Sequence, residues 1–242
     1  CDVGIKRVPL NANFSLDVDG ICATEDVNLV FICAPNNPTG TQVSKADLTA
    51  VLEHFADTAL VVVDEAYIEF DIDNTWATQL AAYPNLVVLR TLSKAFALAG
   101  LRCGFTIASE AIIQSLLKVI APYPIPEPVA QIVAQALTAE NIARMQQQVA
   151  FLNEQRTTLQ AELAKLPGVA LVGDVKANYI LFRHSHCAQI MQYLVSQGML
   201  IRDQSKQLNL QNCLRVTIGS AEQNQRLLSL LDAYFEQAGA SL

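Results

Sequence analysis

The chain has 242 residues, a formal net charge of −7, and 52% of its residues are hydrophobic. That length suits one large domain or two small ones, with enough apolar residues for a sizeable core. The negative charge argues against nucleic acid as the main partner, no stretch approaches the ~20 uninterrupted apolar residues of a membrane span, and no signal peptide is visible.

Taken in order, Lys6 to Leu10 reads as a short strand. Asn28 to Cys33 is an apolar run of the buried-strand type, and the dense turn cluster Ala34-Pro35-Asn36-Asn37-Pro38-Thr39-Gly40 follows it. Ser44 is placed to cap a helix reaching about Phe55, with Asp47 at the capping-box position. Leu60 to Val63 and Leu86 to Leu89 are two more buried strands, and Phe105 to Ala108 is a short fourth. Glu110 to about Ala121 reads as a helix, broken by the proline-rich stretch from Pro122 to Pro128, because proline lacks the amide proton. Helices from Val129 to Leu137 and from Asn141 to Leu166 come next, the second stopped by Pro167-Gly168. Beyond lie strands Val169 to Val172 and Tyr179 to Phe182, a helix Cys187 to Gln197, strands Leu200 to Arg202 and Leu214 to Ile218, and a last helix Ala221 to Ala238.

Strands alternating with helices predict an α/β fold, a mostly parallel sheet flanked by helices. The later elements read as a smaller α+β block. The spacing therefore predicts a large domain over residues 1–155 and a small one over residues 156–242. Six cysteines, Cys1, Cys22, Cys33, Cys103, Cys187 and Cys213, lack CxxC spacing and read as reduced thiols of a cytosolic protein. With three histidines no metal site is expected, and His184-x-His186 reads as a solvated strand end rather than a ligand pair. The chain begins at Cys1, without Met, inside an ongoing pattern, as a piece of something longer would.

In open α/β sheets, ligands bind outside the carboxyl ends of the strands. Asn37, Asp64 and Lys94 all lie at or just past the ends of apolar runs. A free lysine, with a pKa of ~10.4, is a poor nucleophile at neutral pH. In a tight, partly apolar pocket beside other cations it loses its proton more easily and can form a Schiff base. Thr91, Ser93 and Arg102 around it are short hydroxyl donors and a guanidinium fork, the groups a phosphate wants. An imine-forming lysine beside a phosphate cradle points to pyridoxal 5'-phosphate (PLP). Asp64 is placed to keep a pyridine nitrogen protonated, and Tyr67 and Asn37 to hydrogen-bond the ring's phenolic oxygen. Each residue has a plainer alternative: a surface lysine, a turn aspartate, a half-buried structural tyrosine, a turn asparagine.

Three segments change that balance: Ala34-Pro35-Asn36-Asn37-Pro38-Thr39-Gly40, then Asp64-Glu65-Ala66-Tyr67, then Thr91-Leu92-Ser93-Lys94-Ala95-Phe96-Ala97-Leu98-Ala99-Gly100-Leu101-Arg102-Cys103-Gly104. In order and spacing they resemble the fold-type-I PLP-dependent aminotransferases. Asp64 to Phe70, Val119 to Pro124, Asn178 to Leu181, Ile201 to Asp203 and Leu214 to Gly219 narrow the resemblance to the bacterial histidinol-phosphate aminotransferase family. It covers essentially the whole chain, whereas the family's members are longer by roughly a third at the N-terminus.

The resemblance implies a homodimeric, cytoplasmic enzyme of histidine biosynthesis with PLP as cofactor. It implies that Lys94 forms the Schiff base and moves the proton, that Asp64 pairs with the pyridinium, and that Tyr67 and Asn37 hold the phenolic oxygen. It gives the cofactor phosphate to Thr91, Ser93 and Arg102. It gives Arg215 the carboxylate of glutamate and the phosphate of histidinol phosphate, with Arg202 as a second phosphate ligand and Asn178 orienting substrate. The reaction would pass an amino group from glutamate to imidazole acetol phosphate. A threonine-phosphate decarboxylase or an aromatic-amino-acid aminotransferase of the same fold stays open, as does a non-catalytic fragment or binding module.

Overall fold

The computed structural model describes residues 3–239; Cys1 lies outside them. The chain divides into two compact units, residues 3–37 with 41–146, and residues 38–40 with 147–239.

The first unit is built on a four-stranded sheet of order β1-β2-β3-β4, where β1 is Leu29–Cys33, β2 Leu60–Asp64, β3 Leu86–Thr91 and β4 Gly104–Ala108. β1, β2 and β3 are parallel, and β4 runs antiparallel to β3. This is the mostly parallel sheet expected, with the fourth strand reversed. A short helix, α1, Val18–Cys22, precedes β1 and adds to the expected elements; Asp17 caps it by accepting from the Gly20 amide at 3.0 Å. Helix α2, Lys45–His54, makes the crossover from β1 to β2, and its N-terminus is held by the Ser44 hydroxyl, which accepts from the Asp47 amide at 3.0 Å. Val61 and Val63 of β2 and Leu86 and Val88 of β3 share one core with Leu48, Val51 and Leu52 of α2. Alternation along a strand sends intervening residues to the opposite face. Gly104 lies opposite Thr91, where a Cβ would stand 2.7 Å from the Arg90 carbonyl, so only glycine fits that close approach.

The first unit departs from expectation in other places too. Lys6 to Leu10 is not a strand. Lys6 Nζ instead donates to the Glu25 carbonyl, and Pro9 has no amide to give a ladder. The helix after β4, α3, spans Glu110–Leu117 and ends before the prolines, with the amides of Val119 and Ile120 both turning back to the Leu116 carbonyl. The next, α4, Glu127–Ala136, begins earlier than expected, because proline is tolerated in a helix's first turn.

The second unit carries an antiparallel sheet of order β5-β6-β8-β7, from β5 Ala170–Val172, β6 Tyr179–Arg183, β7 Arg202–Asp203 and β8 Cys213–Thr217. Helix α5, Ala139–Leu163, is one continuous element; the division of units falls inside it, between Gln146 and Gln147, ahead of residue 155. Ile180, Phe182, Leu214 and Val216 pack with Ile190 and Leu194 of α6, Cys187–Ser196, and with Leu227 and Leu231 of α7, Ala221–Gly239. Residue 215 falls out of phase with Leu214 and Val216, on the other face of the sheet.

His184 is buried rather than solvated. Its Nδ1 accepts from the His186 amide at 2.9 Å, so Nε2 carries the proton toward the Pro167 carbonyl 3.1 Å away. Gly168, at φ +70°, sits directly against this ring. The five described cysteines are free thiols. No described helix is long and apolar enough to cross a membrane.

Candidate functional site

Parallel pairing sets the chemistry at one level of the first sheet. Cys33, Asp64 and Leu89 are successive partners across β1, β2 and β3, so β1 and β2 end level and β3 runs two residues further, to Thr91. Asp64 is half-buried, and its Oδ1 accepts from the Ala66 amide at 3.0 Å, which turns the chain toward Tyr67. Tyr67 is buried, and Lys94 Nζ stands 5.1 Å from the centroid of its ring. An ammonium at that distance over an aromatic face is in cation–π range. Asp64 and Tyr67 flank one tight turn, and the amine lies over the tyrosine.

The hydroxyls are arranged beside the lysine. Thr91 Oγ1 is 2.9 Å from Ser93 Oγ and 3.3 Å from the Cys103 carbonyl, and it accepts from the Ser93 amide at 3.1 Å. A hydroxyl has one proton, and Thr91 gives its own to Ser93 Oγ, the nearer acceptor, so Ser93 keeps a donor to aim elsewhere. The loop after Lys94 is held in unusual backbone: Ala97 has φ +56° and Arg102 φ +52°, a region that β-carbon-bearing residues seldom occupy. Arg102 is exposed, and its Nη1 donates to the Ala99 carbonyl at 3.0 Å. Asn37 is exposed in the turn after β1. Its backbone amide faces the Cys33 thiol, whose pKa burial, with the Asp64 charge, pushes up to about 11. Cys33 is therefore a neutral thiol at neutral pH.

Arg202, Arg215 and Asn178 lie in the second unit. Arg215 of β8 is the register partner of Leu181 on one side and Arg202 on the other, and its guanidinium carbon is 4.8 Å from the Tyr179 ring centroid. Arg202 is exposed and Arg215 half-buried. Asn178 precedes β6, and its carbonyl accepts from the Ile218 amide at 2.9 Å. The structure thus groups Asp64, Tyr67, Thr91, Ser93 and Lys94 at one sheet end, and Arg202 with Arg215 on one ladder.

Three charged residues without an assigned role, Glu65, Arg90 and Glu69, are held together beside the site. Glu65, fully buried, pairs with Arg90 at 3.0 Å, and Glu69 Oε1 lies 3.9 Å from the same guanidinium. Burial above all raises the Glu69 pKa, with Glu65 adding to the effect and Arg90 opposing it. The available signal was a pair of acids, Asp64-Glu65, after one apolar run and a base, Arg90, directly after the next.

The donor set fits PLP: an amine for its aldehyde, a carboxylate for its ring nitrogen, and hydroxyls with a guanidinium for its phosphate. Comparison with known proteins bears on the same fold. The model of the family "Aminotransferase class I and II" matches residues 1–231. A histidinol-phosphate aminotransferase of Pseudoalteromonas atlantica is 62% identical over 236 residues, 97% of this chain and 64% of that protein. The crystal structure of the histidinol-phosphate aminotransferase from Clostridium acetobutylicum superposes with a TM-score of 0.86 at 24% identity, over 94% of this chain and 70% of that one. That of the Sinorhizobium meliloti histidinol-phosphate aminotransferase in complex with pyridoxal-5'-phosphate gives 0.79 at 23% identity, over 94% and 64%. The chain spans just under two thirds of the length of the Pseudoalteromonas relative. With a family model matched along nearly its whole length, the chain belongs to the class I and II aminotransferases.

Proposed function

We propose that this chain supplies the lysine, the carboxylate and the substrate arginines of a PLP-dependent transaminase. Its substrates are histidinol phosphate and imidazole acetol phosphate in one half-reaction, glutamate and 2-oxoglutarate in the other, as a step of histidine biosynthesis. The observation that carries this reading is Lys94 Nζ over the Tyr67 ring, one short turn from Asp64 and three residues past Thr91.

When bound, PLP supplies an aldehyde and an electron-withdrawing ring. Lys94 would be the amine that holds the aldehyde and the base that moves a proton at the substrate's α carbon, so one base would serve both half-reactions. Asp64 would keep the ring nitrogen protonated. Tyr67 and Asn37 would hold the phenolic oxygen. Ser93, with its uncommitted proton, and Thr91 and Arg102 hold the phosphate. Arg215 takes the carboxylate of glutamate or the phosphate of histidinol phosphate, with Arg202 beside it as a second phosphate ligand and Asn178 orienting the substrate. The identity shared with the Pseudoalteromonas relative supports the substrate choice, and the family resemblance supports a cytoplasmic homodimer.

The test is a substrate panel on the purified chain with PLP. Transfer of the amino group from glutamate to imidazole acetol phosphate is expected. Carbon dioxide released from phosphothreonine would replace the transaminase with a decarboxylase. A wild-type chain that gives no visible absorption band on mixing with PLP would favour a non-catalytic module.

A further inference from the structure

We propose that Glu65 and Arg90 are positioning residues: an ion pair behind the sheet that holds Asp64 in register with the Thr91–Lys94 segment. The proposal rests on the reading of Asp64 and Lys94 as cofactor contacts.

Glu65 follows Asp64 directly, and Arg90 directly precedes Thr91. The Glu65 amide donates to the Leu89 carbonyl at 2.9 Å, so the β2–β3 ladder runs on to this level. Successive residues of a strand point to opposite faces, which puts Glu65 and Arg90 on one face and Asp64 and Thr91 on the other. The rear pair is tightly specified. Glu65 Oε2 accepts from Arg90 Nε at 3.0 Å and from Thr75 Oγ1 at 2.9 Å, and Oε1 accepts from the Trp76 amide at 2.5 Å. Arg90 Nη2 donates to Thr75 Oγ1 at 2.7 Å, which closes a ring of three side chains.

A buried ion pair is a poor source of stability, because apolar residues of similar volume fold as well or better. What it supplies is direction. A guanidinium fork against a carboxylate tolerates little sliding, and the pair acts just past the last residue of β2, where the buried valines that set the register have ended. A shift of the chain at Asp64 and Glu65 would carry Asp64 away from Lys94 while leaving the apolar core intact.

The test is Arg90→Lys, which keeps the charge and loses the fork. Four quantities are measured: the unfolding midpoint, the dissociation constant for PLP, the pH at which the visible band of the PLP-treated chain titrates, and amide hydrogen exchange in the unloaded chain. Expected are an unfolding midpoint near wild type, PLP binding weakened about tenfold (one charge-assisted contact), and a displaced titration of the band. Faster exchange is expected at the Glu65 and Leu92 amides, with Val61 and Leu86 unchanged. Thr75→Val, which removes the bridging hydroxyl and no charge, gives the same pattern and serves if the lysine variant does not fold. Unchanged affinity, band titration and local exchange would overturn the proposal, as would exchange that rises uniformly through the sheet. If the wild-type chain gives no band with PLP, the functional reading fails, and exchange at Glu65 and Leu92 still decides the clamp.

Discussion

Arg202 and Arg215 are direct register partners across the β7–β8 ladder, two cations on one face of an antiparallel pair. Like charges set opposite each other in a sheet destabilise it, and an anion placed between them relieves the repulsion. Histidinol phosphate should therefore raise the unfolding temperature of the chain, by mass action on the folded state. Arg215→Ala should weaken binding of both glutamate and histidinol phosphate by about 1.5–3 kcal/mol, the worth of a charge-assisted hydrogen bond. Calorimetric titration of each substrate checks this; a loss confined to glutamate would place the phosphate on other groups.

Lys94→Ala should abolish both transamination and the visible band with PLP while the chain stays folded. The lysine is half-buried in a loop, and truncating it costs the folded state little beyond the attraction of its ammonium to the Tyr67 ring, about 0.5–1 kcal/mol. Borohydride treatment after PLP should label the wild-type chain at residue 94 alone and leave the variant unlabelled.

Arg90→Met should destabilise the chain by about 3–5 kcal/mol, because it strands the fully buried Glu65 carboxylate. Adding Glu65→Leu should recover most of that loss, since removing both charges removes the desolvation problem. Urea unfolding of the two single variants and the double one gives the cycle; additive losses would mean that the two groups do not interact.

Glu69 responds to pH in a defined direction. Its folded pKa is raised, so the folded chain holds that proton to higher pH than the unfolded chain does. The stabilising contribution is full below the ordinary glutamate value of ~4.3 and is lost as pH rises through the folded value. Glu69→Gln removes this dependence, and its stability relative to wild type should improve across that window in urea titrations at several pH values.

His184 acts in the opposite sense. Burial lowers its pKa, and the neighbouring His186 lowers it further against the Pro167 carbonyl, which raises it. The unfolded chain then takes up the proton first as pH falls. Stability is full above the ordinary histidine value of ~6.5 and declines below it until the folded group is protonated as well. The geometry agrees, because a proton on Nδ1 would face the His186 amide that now donates to it. Histidine Cε1 proton shifts followed by NMR would locate the folded pKa, and a value at or above the unfolded one would refute the direction.

The apolar runs at Leu60 and Leu86 and the capping serine at Ser44 were legible because strand burial and helix starts are local properties of the chain. Asp64, Tyr67 and Lys94 stood out as candidates for the same reason, since each stands at or just beyond the end of a strand in a run of recognisable residue types. Other features depend on residues far apart in sequence. Periodicity cannot tell that β4 turns back against β3, since a short apolar run reads alike in either direction. Nor can it tell that His184 is buried: its partners, Pro167 and Phe235, lie well before and well after it in the chain. A single residue shows its charge but not its counter-charge, so Glu65 and Arg90 became meaningful only when parallel pairing set Asp64 beside Leu89 and so brought the residues after them together. The sequence by itself determined which reactive groups the chain carries, because side-chain chemistry is written residue by residue. Only the tertiary structure decided which of them meet, because register and burial follow from the packing of segments that the chain keeps apart.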